Sequence, residues 1–442
     1  MTSTTIRTSS FLRHRLWLAT RPVSALLLLA APAAAQQDVR LGITGYVDEK
    51  VNVAIDDVTP ASSAGRAVAE MLAYDLEFSL RFNVLEGRAQ TGVVRSSEGI
   101  DYEAWAIFGT QYLIKAELAP SGGGFRTEVG IHHVPFAREI QSLAFALPDP
   151  GSAGFRMAVH RISNAIIKEL TGEEGIADTR VAFASRQRGD KEIYAIDYDG
   201  HDPYRVTSLD TISMTPDWSP DGSTICFTTF TRGDADLFCA SASGGNARPM
   251  STQKGLDMAP AWSPDGRRLA LTLSKDGNAE IYLLDAGGRS LRRLTYSMGI
   301  DTAPSWSPNG RQIVFESDRT GVAQIYAMDA EGANERQLTY GGEAHSPAWS
   351  PKGDRIAYVE RAGNFQVATI SANGGGRTLL TSTGSNEDPS WSPDGLHIAF
   401  SSTRGGGADI YTMDWDGSNI RQVTRGGAFQ SPSWSPRLGG GR

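Results

Sequence analysis

The residue types that carry chemistry are few and scattered. Beyond residue 35 the histidines are His132, His133, His160, His201, His345 and His397, and only His132 and His133 adjoin. An imidazole can bind a metal or move a proton near neutral pH. On a strand, adjacent residues point to opposite faces, so His132 and His133 cannot share one ion. His160 falls in an amphipathic helical pattern, where a packed or surface role is the simpler reading. No G-x-S-x-G elbow occurs, so acyl transfer lacks its nucleophile. Neither a P-loop nor a G-x-G-x-x-G turn is present. Cys226 and Cys239 lie far from any Cys/His cluster, which excludes a zinc site built on them. They fall on neighbouring predicted strands, either as a disulfide or as two buried thiols. Asp221-Gly222, Asp265-Gly266 and Asp394-Gly395 read as hairpin turns rather than calcium ligands. The chain is therefore expected to be no enzyme, with no catalytic, cofactor-binding or metal-ligating residues.

The elements that would position any site come from a repeat. Pro-x-Trp-Ser-Pro recurs with tryptophans at 218, 262, 306, 349, 391 and 434, spaced by 44, 44, 43, 42 and 43 residues. That period suits one four-stranded propeller blade. In the sialidase Asp box the aspartate and glycine precede the tryptophan; here they follow it. A Trp on one strand face fills the wedge between blades, and its indole N–H needs a partner in the neighbouring blade. The second proline lacks an N–H, which suits a strand end or free edge beside the channel. Trp-Ser-Pro thus reads as the innermost strand. The unit at Val181–Phe183 has no such motif before it, and Trp434-Ser435-Pro436 has no strands after it. The C-terminal strand is expected to complete the first blade, giving a closed six-bladed ring and removing exposed edges.

Upstream, Val51–Ile55 suggests a strand, Ser62–Leu80 and Phe155–Leu170 suggest amphipathic helices, and three segments between Tyr112 and Phe145 alternate as an antiparallel sheet. Arg7, Arg13, Arg15 and Arg21, the apolar run Val23–Ala31 and Ala33-Ala34-Ala35 have the layout of a secretory signal peptide. The apolar run is about half of what a membrane-spanning helix needs. The expected organisation is a signal peptide over 1–35 and an α+β domain over 36–172. A linker over 173–179 and the propeller over 180–442 follow. The mature protein is expected to be exported, soluble and monomeric. The net charge of -8 argues against nucleic acid as a partner.

Where repeats are constant they build blades; where they vary they can recognise a partner. Three residues before each motif proline stand Ser213, Asp257, Asp301, Ala344, Asn386 and Phe429. They are expected in loops around one mouth of the channel, since binding residues concentrate on loops of a rigid scaffold.

The signal peptide, Asp38–Ile43, Asp75–Leu85, His160–Ile166, Leu170-Thr171-Gly172 and the Trp-Ser-Pro-Asp-Gly repeats occur together in one order. In this the chain resembles the TolB family, periplasmic propellers of the Tol-Pal system, over nearly its whole mature length. The resemblance implies a non-enzymatic periplasmic scaffold that supports outer-membrane integrity and constriction at division. It implies binding of the lipoprotein Pal through the propeller mouth, with other outer-membrane lipoproteins as further partners. The Pal-facing residues would include Asp257, Ala259, Asp301, Thr302, His345 and Asn386. It implies binding of TolA through Asp38, Val39, Arg40, Leu41 and Ile43, a short extended segment able to add to a sheet edge. Gly42 interrupts that segment. Two other readings compete: a periplasmic propeller hydrolase or lactonase with a channel metal, and a glycan-binding lectin, for which Phe429 is the one aromatic at the mouth.

Overall fold

A computed structural model describes residues 50–85, 99–152, 154–186 and 189–439. The signal peptide expected over 1–35 and the segment Asp38–Ile43 lie outside these residues.

The N-terminal domain is a five-stranded mixed sheet. Its strands are β1 (Val51–Ile55), β2 (Phe82–Leu85), β3 (Tyr112–Ser121), β4 (Gly124–His133) and β5 (Arg138–Pro148), in the order β2-β1-β3-β4-β5. β1 pairs parallel with β2 and β3, while β3, β4 and β5 are antiparallel. Three helices accompany it: α1 (Ser63–Phe78), α2 (Tyr102–Ile107) and α3 (Phe155–Thr171). Ser62 starts α1 by accepting the Gly65 N–H at 3.0 Å. α3 ends at Gly172, whose φ of +76° lets its N–H reach the Lys168 carbonyl. The apolar stripes of α1 (Val68, Leu72, Leu76) and α3 (Val159, Ile162, Ile166) are fully buried against one sheet face. Each such side chain contributes roughly 2 kcal/mol by burial. On the other face Trp105 of α2 packs with Ala54, Leu113 and Val134. Two elements escaped the sequence reading, β2 and α2; each is four to six residues long, too short to show a period.

From Arg180 onward six four-stranded antiparallel sheets follow. In five of them the Trp-Ser-Pro strand lies at one edge and the remaining strands follow in chain order. In the sixth, Phe429–Trp434 pairs with Arg180–Ser185 and closes the ring, as the unmatched ends require. Residues 173–179 pack tightly: Ile176 and Ala177 are buried, and the Asn164 side chain bonds Asp178 and the Ala177 N–H. Cys226 and Cys239 face each other across adjacent strands and form a disulfide, which resolves the alternative left by the sequence. Among the described residues no helix is long and apolar enough to cross a membrane.

Candidate functional site at the propeller mouth

Each inner strand carries the same irregularity. The ladder is interrupted between the fourth residue before the Trp and the residue just before it, as between Met258 and Ala261. The residue before the first proline takes a left-handed backbone in all six: Thr215, Ala259, Ala303, Ser346, Asp388 and Ser431, with φ of 47–53°. This is a β-bulge. It places the proline, which has no N–H to lose, in the unpaired stretch and turns it to the channel. These residues and the residue before each Trp line a central cavity of 460 Å³.

The rings of inner strands interlock in two alternating ways. The indole N–H groups of Trp218, Trp306 and Trp391 donate to the carbonyls of Ser433, Ala261 and Ala348 on the preceding inner strand, at 3.0–3.1 Å. At the intervening junctions the backbone N–H of Trp262, Trp349 and Trp434 donates instead to the side chains of Asp217, Ser305 and Ser390, at 2.8–3.0 Å. The expected inter-blade indole bond thus holds at three junctions. Two aspartates face the cavity. Burial pushes Asp217 up to about 7, against the hydrogen bonds from the Trp262 N–H and Ser433. Asp388, approached by Ser431 and Ser346, is also raised, chiefly by burial. Among the described residues no three His, Cys, Asp or Glu side chains converge as a metal-ligating group.

The channel has two distinct ends. In an antiparallel blade, the end of the first strand, the start of the second and the end of the third lie together. At this Ser-Pro end stand the propeller residues that touch the N-terminal domain. Asp75 accepts hydrogen bonds from Ser163 and from the Tyr198 hydroxyl, and contacts His160 Nδ1 at 2.8 Å. His160 Nε2 lies 3.5 Å from Asp199, which also pairs with Arg156. Burial opposes a charge on His160, but Asp199 and Asp75 outweigh it and hold the imidazole at about 9. Phe78 stacks on His397 at 4.0 Å, and Arg421 lies over the Phe78 ring. The other end, where the inner strands begin, is the open mouth.

The mouth residues expected from the sequence divide into three groups. Asp257, Asp301 and Asn386 are not on the rim. Each is the first residue of an inner strand, fully buried beneath the loop that precedes it. The Asp301 carboxylate takes the Arg319 guanidinium at 2.8 Å, and Asn386 bonds Gln366 and Arg404. The residue two positions before the left-handed one points between blades, and the one between them faces the mouth, because side chains alternate along the strand. Ser213, Ala344 and Phe429 are buried at the equivalent place, so Phe429 offers no surface to a glycan. Ala259 does reach the channel, as one of its left-handed residues. Thr302 and His345 are half-buried at the mouth, in a ring with Met214, Met258, Glu387 and Gln430. His345 Nδ1 contacts Glu316 at 3.0 Å, which raises its pKa.

The most exposed apolar side chains of the mouth were not singled out from the sequence. Tyr296 and Tyr340 are each 76 % exposed, Met298 fully so, and Leu256, Ile300 and Val322 are also exposed. They lie in loops that lead into inner strands or join the middle strands of a blade. The loop holding Met298 is fixed rather than loose: Asn278 donates to the Ser297 and Gly299 carbonyls, and Arg293 lies 4.6 Å from the Tyr296 ring centroid. Apolar residues in a loop are themselves the signal, as in Tyr296-Ser297-Met298-Gly299-Ile300, because loops are otherwise polar.

Comparison with known proteins bears on both domains. Residues 167–438 match the TolB beta propeller domain and residues 39–138 the TolB amino-terminal domain. The Tol-Pal system protein TolB of Geobacter sulfurreducens is 38% identical over 207 residues, which are 45% of this chain and 47% of that protein. The namesake of Methylococcus capsulatus is 35% identical over 209 residues, 46% of this chain and 48% of that one. The chain thus spans about half the length of the curated relatives it matches. The crystal structure of TolB from Acinetobacter baumannii superposes with a TM-score of 0.77 at 27% identity, covering 88% of this chain and 97% of that one.

Proposed function

From the premise that the chain belongs to the TolB family, propeller proteins of the Tol-Pal system, we propose that it is a non-enzymatic periplasmic scaffold. It binds Pal through the open mouth of the propeller and TolA through Asp38–Ile43, and supports outer-membrane integrity and invagination at division. The observation that carries the mouth reading is its surface. One end of the channel carries the N-terminal domain. The opposite end presents Thr302, His345 and the exposed Leu256, Tyr296, Met298, Ile300 and Tyr340. Large aromatic and Met side chains around a rigid depression are what partner surfaces are made of.

The reading is tested with Pal and TolA from the same organism. Thr302→Arg combined with Met298→Asp should weaken Pal binding at least about tenfold, roughly 1.4 kcal/mol, with the unfolding midpoint unchanged. Asp301→Arg is unsuitable, because a second guanidinium beside Arg319 in a buried site would damage the blade. Removing residues 36–43 should abolish TolA binding and leave Pal binding intact. Unaltered Pal affinity in the folded double variant would exclude this mouth.

A further inference from the structure

The sulfur chemistry of this chain is concentrated at the mouth. A mild oxidant attacks an accessible cysteine thiolate first and a methionine thioether next. The chain has two cysteines, and both are locked in the buried Cys226–Cys239 disulfide. With no thiolate to compete, the methionines are the sulfur an oxidant meets. The chain has nine of them, and all but Met1 are described. Met71, Met250, Met328 and Met413 are buried, and Met157, Met214 and Met258 are half-buried. Met298 alone among the described methionines is fully exposed.

The loop around Met298 holds it in that position. On one side the Ser297 carbonyl accepts from Asn278, and Arg293 lies 4.6 Å from the Tyr296 ring centroid. On the other, the Gly299 carbonyl accepts from Asn278 at 2.6 Å and the Ile300 N–H donates to Asp318 at 2.6 Å. Gly299 packs so closely on the turn at Asp318 and Arg319 that a Cβ there would lie 2.5 Å from the Arg319 backbone nitrogen. The thioether thus stands in solvent on a fixed support. It cannot retreat into the blade, and a partner seated on the mouth must accept it where it is.

We propose that Met298 is an oxidant-responsive modification site, whose conversion to the sulfoxide by a peroxide turns down binding at the mouth. The proposal rests on the reading that Pal binds there. The sulfur lone pair attacks one peroxide oxygen. The O–O bond breaks, an S–O bond forms, and the departing hydroxide takes the proton of the transferred oxygen to become water. Sulfur is oxidised by two electrons and the peroxide is reduced by two. The product places a polar, chiral group where the surface had a flexible apolar one. Covering its oxygen without a donor costs affinity. A methionine sulfoxide reductase reverses the change, so the site can act repeatedly.

The test treats the purified protein with hydrogen peroxide and removes the peroxide with catalase. Peptide mass spectrometry then follows each methionine, and affinity is measured for untreated Pal. Met298 should oxidise at least about tenfold faster than Met328 and Met413, and ahead of Met214 and Met258. Pal affinity should fall at least about fivefold in step with the Met298 sulfoxide and recover with a methionine sulfoxide reductase. Met298→Leu has no sulfur to oxidise. Its affinity, compared with its own untreated value, should change less than about twofold. Oxidation of Met298 no faster than that of the buried methionines overturns the proposal. So does a Met298→Leu variant that loses as much affinity on oxidation as the unaltered chain. If Thr302→Arg with Met298→Asp weakens Pal binding but oxidation does not, the proposal fails and the mouth reading stands. If that double variant binds Pal normally, the mouth reading fails and this proposal falls with it.

Discussion

At the scale of single residues, His160 is where chemistry and architecture meet. It is fully buried on α3, yet held at about 9 by Asp199 and Asp75 despite its burial. Its pKa in the unfolded chain is near 6.5. A group whose pKa is raised by folding contributes stability that is complete below the unfolded value and lost as pH rises through the folded one. Asp199 is lowered, with burial overcome mainly by His160, so its contribution is present above the usual carboxylate range and fades in acid. The interface between the two domains should therefore be most stable from about pH 5 to 6.5. Between pH 6.5 and 10 the protein should lose up to about 3 kcal/mol, which thermal unfolding across that range measures. His160→Gln should flatten this dependence. An equally steep pH profile in the variant would move the titration to another group. The same scale corrects the aspartates of the repeat. Asp257 and Asp301, expected in loops at the rim, are instead fully buried as the first residues of their inner strands.

At the scale of the element, the inner strand shows why the motif has its form. The bulge needs a residue at φ near +50° followed by a proline that makes no ladder bond, and the tryptophan then closes the wedge to the next blade. The turn after it is held by Ser219 Oγ donating to Asp221, repeated at Ser263 with Asp265 and Ser307 with Asn309, and by a glycine with positive φ. The tryptophans are alike in sequence and unlike in bonding. Trp306 donates its indole N–H to Ala261, whereas the Trp349 indole finds no partner. Replacing each with Phe removes similar apolar area but only one hydrogen bond. Trp306→Phe should thus cost about 1 kcal/mol more than Trp349→Phe in denaturant unfolding. Equal losses would show that the indole bond contributes nothing beyond packing.

At the scale of the molecule, closure and docking are joined. The C-terminal strand completes the first blade, its Trp434 donates to Thr179, and Arg437 bonds the Gly175 carbonyl. The segment before the propeller is thereby fastened to the strand that ends it. Removing residues 429–442 would strip the first blade of its inner strand, take the Ser433 acceptor from Trp218 and open two sheet edges. That truncation should fail to give a cooperative thermal transition and should aggregate on expression. A truncated chain with native-like circular dichroism and a sharp melt would show that the other five blades hold the ring alone.

The repeat, the six blades, the strand that closes them and the two long helices of the N-terminal domain were legible in the sequence. Each rests on a pattern that neighbouring residues impose: a period near 43, Asp-Gly turns and a 3.6-residue stripe. What faces the partner was not legible in the same way. Asp257, Asp301 and Asn386 look like variable loop residues because they precede a strand motif, but the adjoining blade covers them. Met298 and Tyr296 look like strand residues out of place, but Asn278 and Arg293 hold them at the mouth. Alternation along one strand says which side a residue takes. Only the packing of a second blade decides whether that side is solvent or core.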